Sequence, residues 1–214
     1  MTGLLEAQTA GLRERKKQRT RWALIDAALD LFLAQGYETT TIDEIVAAVD
    51  VSQRTYFRYF AGKEGVALSV LTEYDALFVG ALAERPPEEP PVPAMRAALD
   101  VSLEAILDGD VAHVTRFRKL HGLLDRTPAL AAGQLRRFAE VEQTAAALIA
   151  RRVGTDLLSD PRPHLLVASF MAVVRVAYES CVRDAVVEPA AFVPRVRGLI
   201  ALATDTLPAA WSAR

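Results

Sequence analysis

The sequence predicts an all-α protein with a small N-terminal unit and a larger helical body. Three observations point that way. Residues 40–63 read as two short capped helices joined by a tight turn. Elsewhere apolar residues recur at helical spacing, and glycine and proline punctuate the segments. No stretch shows the alternation of a strand, and no internal repeat stands out. The 214 residues exceed a typical single domain, so two units are expected, at about 13–62 and 63–208. Hydrophobic residues make up 51% of the chain, enough for a sizeable core.

In chain order, residues 1–12 read as a poorly ordered leader. Arg13, Arg15, Lys16, Lys17, Arg19 and Arg21 then set six positive charges within nine residues, against Glu14 alone. The whole chain has a net charge of −2, so any attraction for nucleic acid must be local. A charge run is often only a solvated face. Ahead of a helix-turn-helix unit it also suits phosphate neutralisation or minor-groove entry. Thr20 is the expected N-cap of a helix to Gln35, with Ile25, Ala28, Leu29 and Phe32 facing inward. Gly36 is its natural stop and Tyr37 packs back beneath it. Trp22 reads as packing, with a phosphate contact through its N–H as the alternative.

Thr41 and Glu44 form a T-x-x-E capping box, and Ile42, Ile45, Val46 and Val49 give the following helix one apolar stripe. Asp50 closes it, because Asp tolerates the left-handed backbone of a tight turn. Ser52 caps a second helix from about Gln53 to Phe60, with Tyr56 and Phe60 turned inward. In a helix-turn-helix unit the second helix enters the major groove of double-stranded DNA. Gln53, Arg54 and Thr55 carry the amide, guanidinium and hydroxyl groups that read base edges. Arg58, Tyr59, Thr41 and Lys63 suit phosphates, and Phe57 lies in the same groove-facing segment, Gln53–Tyr59. An ordinary amphipathic helix with solvated arginines is the plainer alternative.

The stretch from Asp43-Glu44-Ile45-Val46-Ala47 through Val51-Ser52-Gln53-Arg54-Thr55-Tyr56-Phe57-Arg58-Tyr59-Phe60-Ala61-Gly62-Lys63-Glu64 resembles the signature of the TetR-type transcriptional regulators. Its aromatic-x-Tyr-Phe-x-x-Lys-Glu ending is specific, and the likeness covers roughly residues 15–70. Asp50 departs from the pattern, which usually has Gly there, so the turn is expected to survive with strain. The resemblance implies a helix from Lys63 to Glu84 linking a DNA-binding head to a ligand-binding body, with Lys63 on a phosphate. It also implies a homodimer formed through the last two helices. A solvated lysine is the alternative at Lys63, although a helix start does not favour a cation.

Residues 85–93 hold five of the eleven prolines and read as a stiff, non-helical connector. Further helices are expected at about 94–108, 110–125, 128–153, 162–187 and 189–207. The helix at 162–187 is apolar almost all round, so one face can meet the core and the other a second subunit. Within it Arg175 either pairs with Glu179 or reaches into a cavity to receive a ligand's carboxylate or other polar end, beside Tyr178. Phe78, Met95, His113, Phe117, His121 and Met171 are the other candidates to line that cavity, which would take a largely apolar small molecule. The histidines lack the i, i+4 spacing of a helical metal pair, so no metal or other cofactor is expected.

A single cysteine, Cys181, excludes an internal disulfide and fits a reducing compartment; it reads as a packed residue, with redox sensing as the alternative. No secretory signal is visible, and the apolar run Leu165–Val174 is too short to span a bilayer, so a cytoplasmic protein away from membranes is expected. No motif of an activated nucleophile, phosphate-binding loop or metalloprotease appears, which argues against an enzyme. The expectation is a homodimeric, ligand-responsive repressor binding a palindromic operator. The alternative is a helical small-molecule-binding protein whose head no longer reads DNA.

Overall fold

The computed structural model describes residues 2–107, 111–184, 186 and 188–205, with side chains from residue 15 onward except residue 111. The regular elements among the described residues are all helices, in the order α1 (Thr2–Gln35), α2 (Ile42–Val49), α3 (Gln53–Phe57), α4 (Lys63–Glu84), α5 (Pro91–Leu107), α6 (Val111–Leu124), α7 (Pro128–Val153), α8 (Arg162–Arg183) and α9 (Pro189–Asp205).

The first helix departs from expectation at its start. It runs unbroken from Thr2, so the leader is helical and the basic run lies along a helix. Residues such as Glu6, Ala7, Gln8, Arg15, Lys16 and Lys17 are strong helix formers, and no proline interrupts them, so the run outweighs the weak former Gly11. Thr20 is therefore not a cap: its hydroxyl donates to the Lys16 carbonyl one turn back, at 3.0 Å. The far end is as expected. Leu24, Ile25, Ala28, Leu29 and Phe32 are buried, and Gly36 turns the chain at φ +96°. The Tyr37 ring meets Phe32 edge-on at 5.0 Å.

The capping box of α2 is reciprocal. The Glu44 N–H donates to Thr41 Oγ1 at 3.2 Å, and the Thr41 N–H donates to the Glu44 carboxylate at 2.7 Å. Asp50 ends the helix in the left-handed region, at φ 54° and ψ 52°. Ser52 caps α3 by accepting the Thr55 N–H at 3.2 Å. That helix ends at Phe57 rather than Phe60, because the Tyr59 and Phe60 N–H groups both converge on the Tyr56 carbonyl, at 2.8 and 3.0 Å. The last turn tightens and the chain swings into α4.

The central helix α4 packs on α1, α5, α6 and α7, so it belongs to head and body alike. At its first residue the Lys63 ammonium donates to the carbonyls of Tyr37, Glu38 and Thr40, at 2.7, 3.1 and 2.8 Å. The α7 backbone approaches α4 closely at Gly133, where a Cβ would sit 2.7 Å from the Glu64 carboxyl group. At the other end Arg152 of α7 donates to the carbonyls of Leu82, Arg85, Pro86 and Glu89. These contacts tie down the end of α4 and the short connector after it.

That connector is shorter than expected, since α5 already begins at Pro91. Pro91 and Pro93 fall in the first helical turn, where backbone N–H groups have no intrahelical partner to lose. The helix α8 ends at Arg183 rather than 187, and its inward face is Leu166, Val167, Phe170, Met171, Val174, Ala177 and Cys181. By length and composition α4 and α8 could each cross a membrane, yet both turn a row of buried residues into the bundle.

Two stability predictions follow from this geometry. Asp50→Gly removes the left-handed strain and should raise stability by up to about 1 kcal/mol, whereas Asp50→Val should lose about 1–2 kcal/mol. Lys63→Met strips three carbonyls of a charged donor and should cost about 1–3 kcal/mol. Urea unfolding midpoints check both; a Lys63→Met protein as stable as the parent would show that those carbonyls are equally well served by water.

Candidate nucleic-acid interface and body cavity

The helix-turn-helix rests on a small core. Ile45 and Val46 of α2, with Tyr56 and Phe60, are buried as Leu24, Ile25, Ala28 and Leu29 of α1 are, in one continuous core. The Tyr56 hydroxyl donates to the Gly62 carbonyl at 3.0 Å, and burial pushes its phenol well above the ordinary value, so it remains a donor. One buried ring thus fixes α3 against the start of α4.

The outward surface of α3 then carries the polar set. Gln53, Arg54 and Arg58 are exposed, Phe57 is 52% exposed, and Thr55 and Tyr59 are half-buried. The Gln53 amide donates to the Asp43 carboxylate of α2, which orients it across the turn. Arg58 lies over the Tyr59 ring at 5.0 Å and donates to its hydroxyl at 3.2 Å. Among the described residues Arg54 makes no ion pair, which leaves its fork of donors for an external partner.

Three expected phosphate contacts are instead engaged within the protein. The Thr41 hydroxyl is shared with Glu44, at 2.9 Å from its carboxylate. The Lys63 donors go to three carbonyls, as above. Arg21 pairs with Glu73 of α4 at 2.7 Å and lies 5.2 Å from the centre of the Trp22 ring, bracing α1 on α4. Arg15, Lys16, Lys17 and Arg19 remain exposed along α1, while the side chain of Arg13 lies outside the described residues. Trp22 packs between α1 and α6, under Arg116 at 4.4 Å and edge-on to His113 at 5.1 Å. Arg116 itself makes a two-pronged pair with Asp26 of α1, at 2.6 and 2.8 Å.

A cavity of about 70 Å³ lies within the body, walled by α4, α5, α6, α7 and α8. That is room for a few water molecules; anything of drug size must push side chains apart. Phe78, Phe117, His121, Met171, Arg175 and Tyr178 line it as expected. Met95 and His113 do not. Met95 is wholly buried in the core, and His113 faces Trp22 at the α1–α6 contact. Arg175 pairs with Glu179 one turn on, at 2.9 Å, with both partly exposed, so the intrahelical reading holds. The His121 Nδ1 lies 3.0 Å from the Phe117 carbonyl, and burial lowers the affinity of its ring for a second proton.

Two charged lining residues escaped the sequence reading, Asp75 of α4 and Arg137 of α7, which form an ion pair. Burial pushes the Asp75 carboxyl up to about 6 even though Arg137 pulls the other way. One signal was present: Asp75 falls on the stripe of Leu71, Tyr74 and Phe78, a charge on an apolar face. Arg137, next to exposed Arg136, looks like any surface arginine.

Comparison with known proteins agrees with this architecture. Residues 24–70 match the family described as "Bacterial regulatory proteins, tetR family", and residues 89–201 match "MftR C-terminal domain". The chain is 48% identical over 168 residues to the HTH-type transcriptional regulator TcmR of Streptomyces glaucescens, covering 78% of this chain and 74% of that one. It is 29% identical over 170 residues to MftR of Mycobacterium tuberculosis, named as a mycofactocin biosynthesis transcriptional regulator, covering 79% and 83%. Among solved structures, SmeT in complex with triclosan superposes with a TM-score of 0.53 at 19% identity, over 87% of this chain and 90% of that one. NalD of Pseudomonas aeruginosa, the secondary repressor of the MexAB-OprM efflux pump, gives 0.52 at 18% identity, over 88% and 97%. These two show the shared fold. The relatives in sequence are regulators rather than enzymes, and with an N-terminal helix-turn-helix on an all-helical body this chain belongs to the TetR family of bacterial transcriptional regulators.

Proposed function

We propose that the protein is a cytoplasmic, homodimeric repressor that binds a palindromic operator and is released by a small molecule in the body cavity. The observation that carries this reading is the shared helix α4. Its first residue is bolted to the helix-turn-helix, and Leu71, Tyr74, Asp75 and Phe78 further along form a cavity wall. Because the free space is small, a ligand has to move that wall, and α4 carries the movement to the head.

Gln53, Arg54 and Thr55 are the proposed base readers. Arg58, Tyr59 and Phe57 lie beside them, and the exposed cations of α1 add non-specific attraction. Lys63, Thr41 and Arg21 are assigned to holding the head together. The dimer face is the outer side of α8 with α9, where Leu165, Val176 and Leu202 are 58, 53 and 68% exposed. Two heads on a two-fold axis must meet half-sites about one helical turn apart, so a small change of spacing breaks the fit. The ligand then favours DNA-free protein by the same factor by which it weakens DNA binding.

Selection of bound sequences from a random duplex pool, with the mass in solution measured alongside, tests the regulator; one palindrome recovered by a dimer is the expected outcome. Failure to enrich any motif at moderate salt would favour a ligand-binding protein with a silent head. Arg54→Ala should cost about 1–3 kcal/mol on the selected site and relax the preference there. Unchanged affinity and preference would place α3 in another register. Replacing Arg15, Lys16, Lys17 and Arg19 with Ala should weaken all DNA alike and flatten the salt dependence; an unchanged salt slope would leave those cations as a solvated helix face.

A further inference from the structure

The Asp75–Arg137 pair forms part of the cavity wall. Arg137 reaches from α7 to three points on one stripe of α4: the Leu68 carbonyl at 3.2 Å, the Thr72 hydroxyl at 3.3 Å and the Asp75 carboxylate. It is therefore a strap between the two helices as well as a cavity wall. Its side chain is 14% exposed and that of Asp75 29%, so the pair is largely out of solvent. Around it the cavity is aromatic, with Tyr74, Phe78, Phe117, Phe138 and Tyr178.

We infer that the cavity takes a ring-bearing organic anion, a carboxylate or similar oxyanion, which replaces Asp75 on Arg137 and leaves Asp75 to take up a proton. The inference rests on the ligand-released reading above and gives its site a chemistry.

The two partners of the pair are not equally replaceable. A guanidinium stays protonated at every ordinary pH, so Arg137 stripped of its carboxylate would be a poorly compensated charge in an apolar wall. A carboxyl can shed its charge instead, and Asp75 is already held near that point, at about 6. Exchanging one anion for another at Arg137 therefore costs less than exchanging one cation for another at Asp75. The remaining groups do not offer an alternative. Arg175 is occupied by Glu179 on α8, and Glu140 on α7 adds negative charge near Arg137. His121 on α6 is held below its ordinary value by burial, and Tyr178 on α8 well above its own, so both stay neutral near pH 7. Ser102 of α5 and Gln134 of α7 are uncharged.

The sign of the pH effect follows. Displacement from Arg137 raises the Asp75 pKa further, so binding takes up a proton at any pH between the free and bound values. Affinity for a permanent anion should then fall as pH rises above about 6, by up to tenfold per unit.

Calorimetry on the full chain with 2-naphthoate, 2-naphthamide and 2-naphthylmethylammonium tests this. The expected result is naphthoate bound at least tenfold more tightly than either analogue, with affinity declining from pH 6.5 to 8. Asp75→Asn should keep naphthoate and lose the pH slope. Arg137→Gln should lose the preference for the anion, while Arg137→Lys, which keeps the charge, should retain most of it; melting temperatures confirm that the variants are folded. Equal or tighter binding of the ammonium or amide would overturn the proposal and leave the cavity as a ligand site of another chemistry. So would an anion preference that survives Arg137→Gln, or a pH slope that survives Asp75→Asn and so belongs to His121. Failure of all three probes to bind up to millimolar concentration would count against both the anion and the ligand-released regulator.

Discussion

The tie on which the rest of this structure most depends is the first residue of α4, where the head is fastened to the helix that walls the body cavity. A lysine at a helix N-terminus is ordinarily misplaced, because the dipole there is positive. The carbonyls of Tyr37, Glu38 and Thr40 supply the missing negative potential, and the Tyr37 ring lies 4.7 Å from the ammonium. In the bend between α1 and α2 these carbonyls have no helix to use them. Lys63 satisfies them and fixes the direction of α4 at once. The Tyr56 hydroxyl on Gly62 anchors the same junction from the α3 side. The head is consequently rigid about the point where α4 leaves it, and a tilt of α4 has to carry the head along.

At its other end α4 is held less uniformly. The Leu82 carbonyl in its last turn and the connector after it are gripped by Arg152, while α7 crosses it closely near its start, at Gly133. Between those two fixed points lies the cavity wall, pinned across the gap by Arg137. A second link joins the cavity to the head through α6. Phe117 and His121 face the cavity on one side of that helix, and Arg116 holds Asp26 of α1 on another. The head is thus attached to the cavity by two helices, α4 and α6. Whichever of them a ligand displaces, the other sets how far the head can follow.

Much of this was legible in the sequence because local chemistry decides it. The caps at Thr41 and Ser52, the glycine stop at Gly36 and the left-handed Asp50 each depend on one residue and its near neighbours. The bounds of α4 and α7 follow from similar signals, with Pro128 opening α7 and Gly154 closing it at φ +70°. What escaped was set at long range. Nothing near Lys63 announces that carbonyls more than twenty positions back will consume its donors. Arg137 is likewise an unremarkable surface-type residue until α7 lies across α4. The continuous helix from Thr2 escaped for a different reason: Thr20 reads as an N-cap behind a leader and a basic arm, although the residues of that arm propagate a helix well.

The redirected cations also set the character of the proposed DNA complex. Residues 1–63 carry nine Lys/Arg against eight Asp/Glu, so the head has no strong field of its own. Of the basic residues, Arg21 and Lys63 serve the scaffold, and those left exposed lie on α3 and along α1. Arg15, Lys16, Lys17, Arg19, Arg54 and Arg58 are the exposed ones, and counterion release scales with the number of phosphates they neutralise. That attraction is blind to sequence, so the choice of site rests on base-edge contacts made by α3 and on doubling them across a two-fold axis. Misaligned heads keep the first kind of contact and lose the second. A small strain delivered through α4 therefore has only to break the base contacts to return the protein from its operator to non-specific binding.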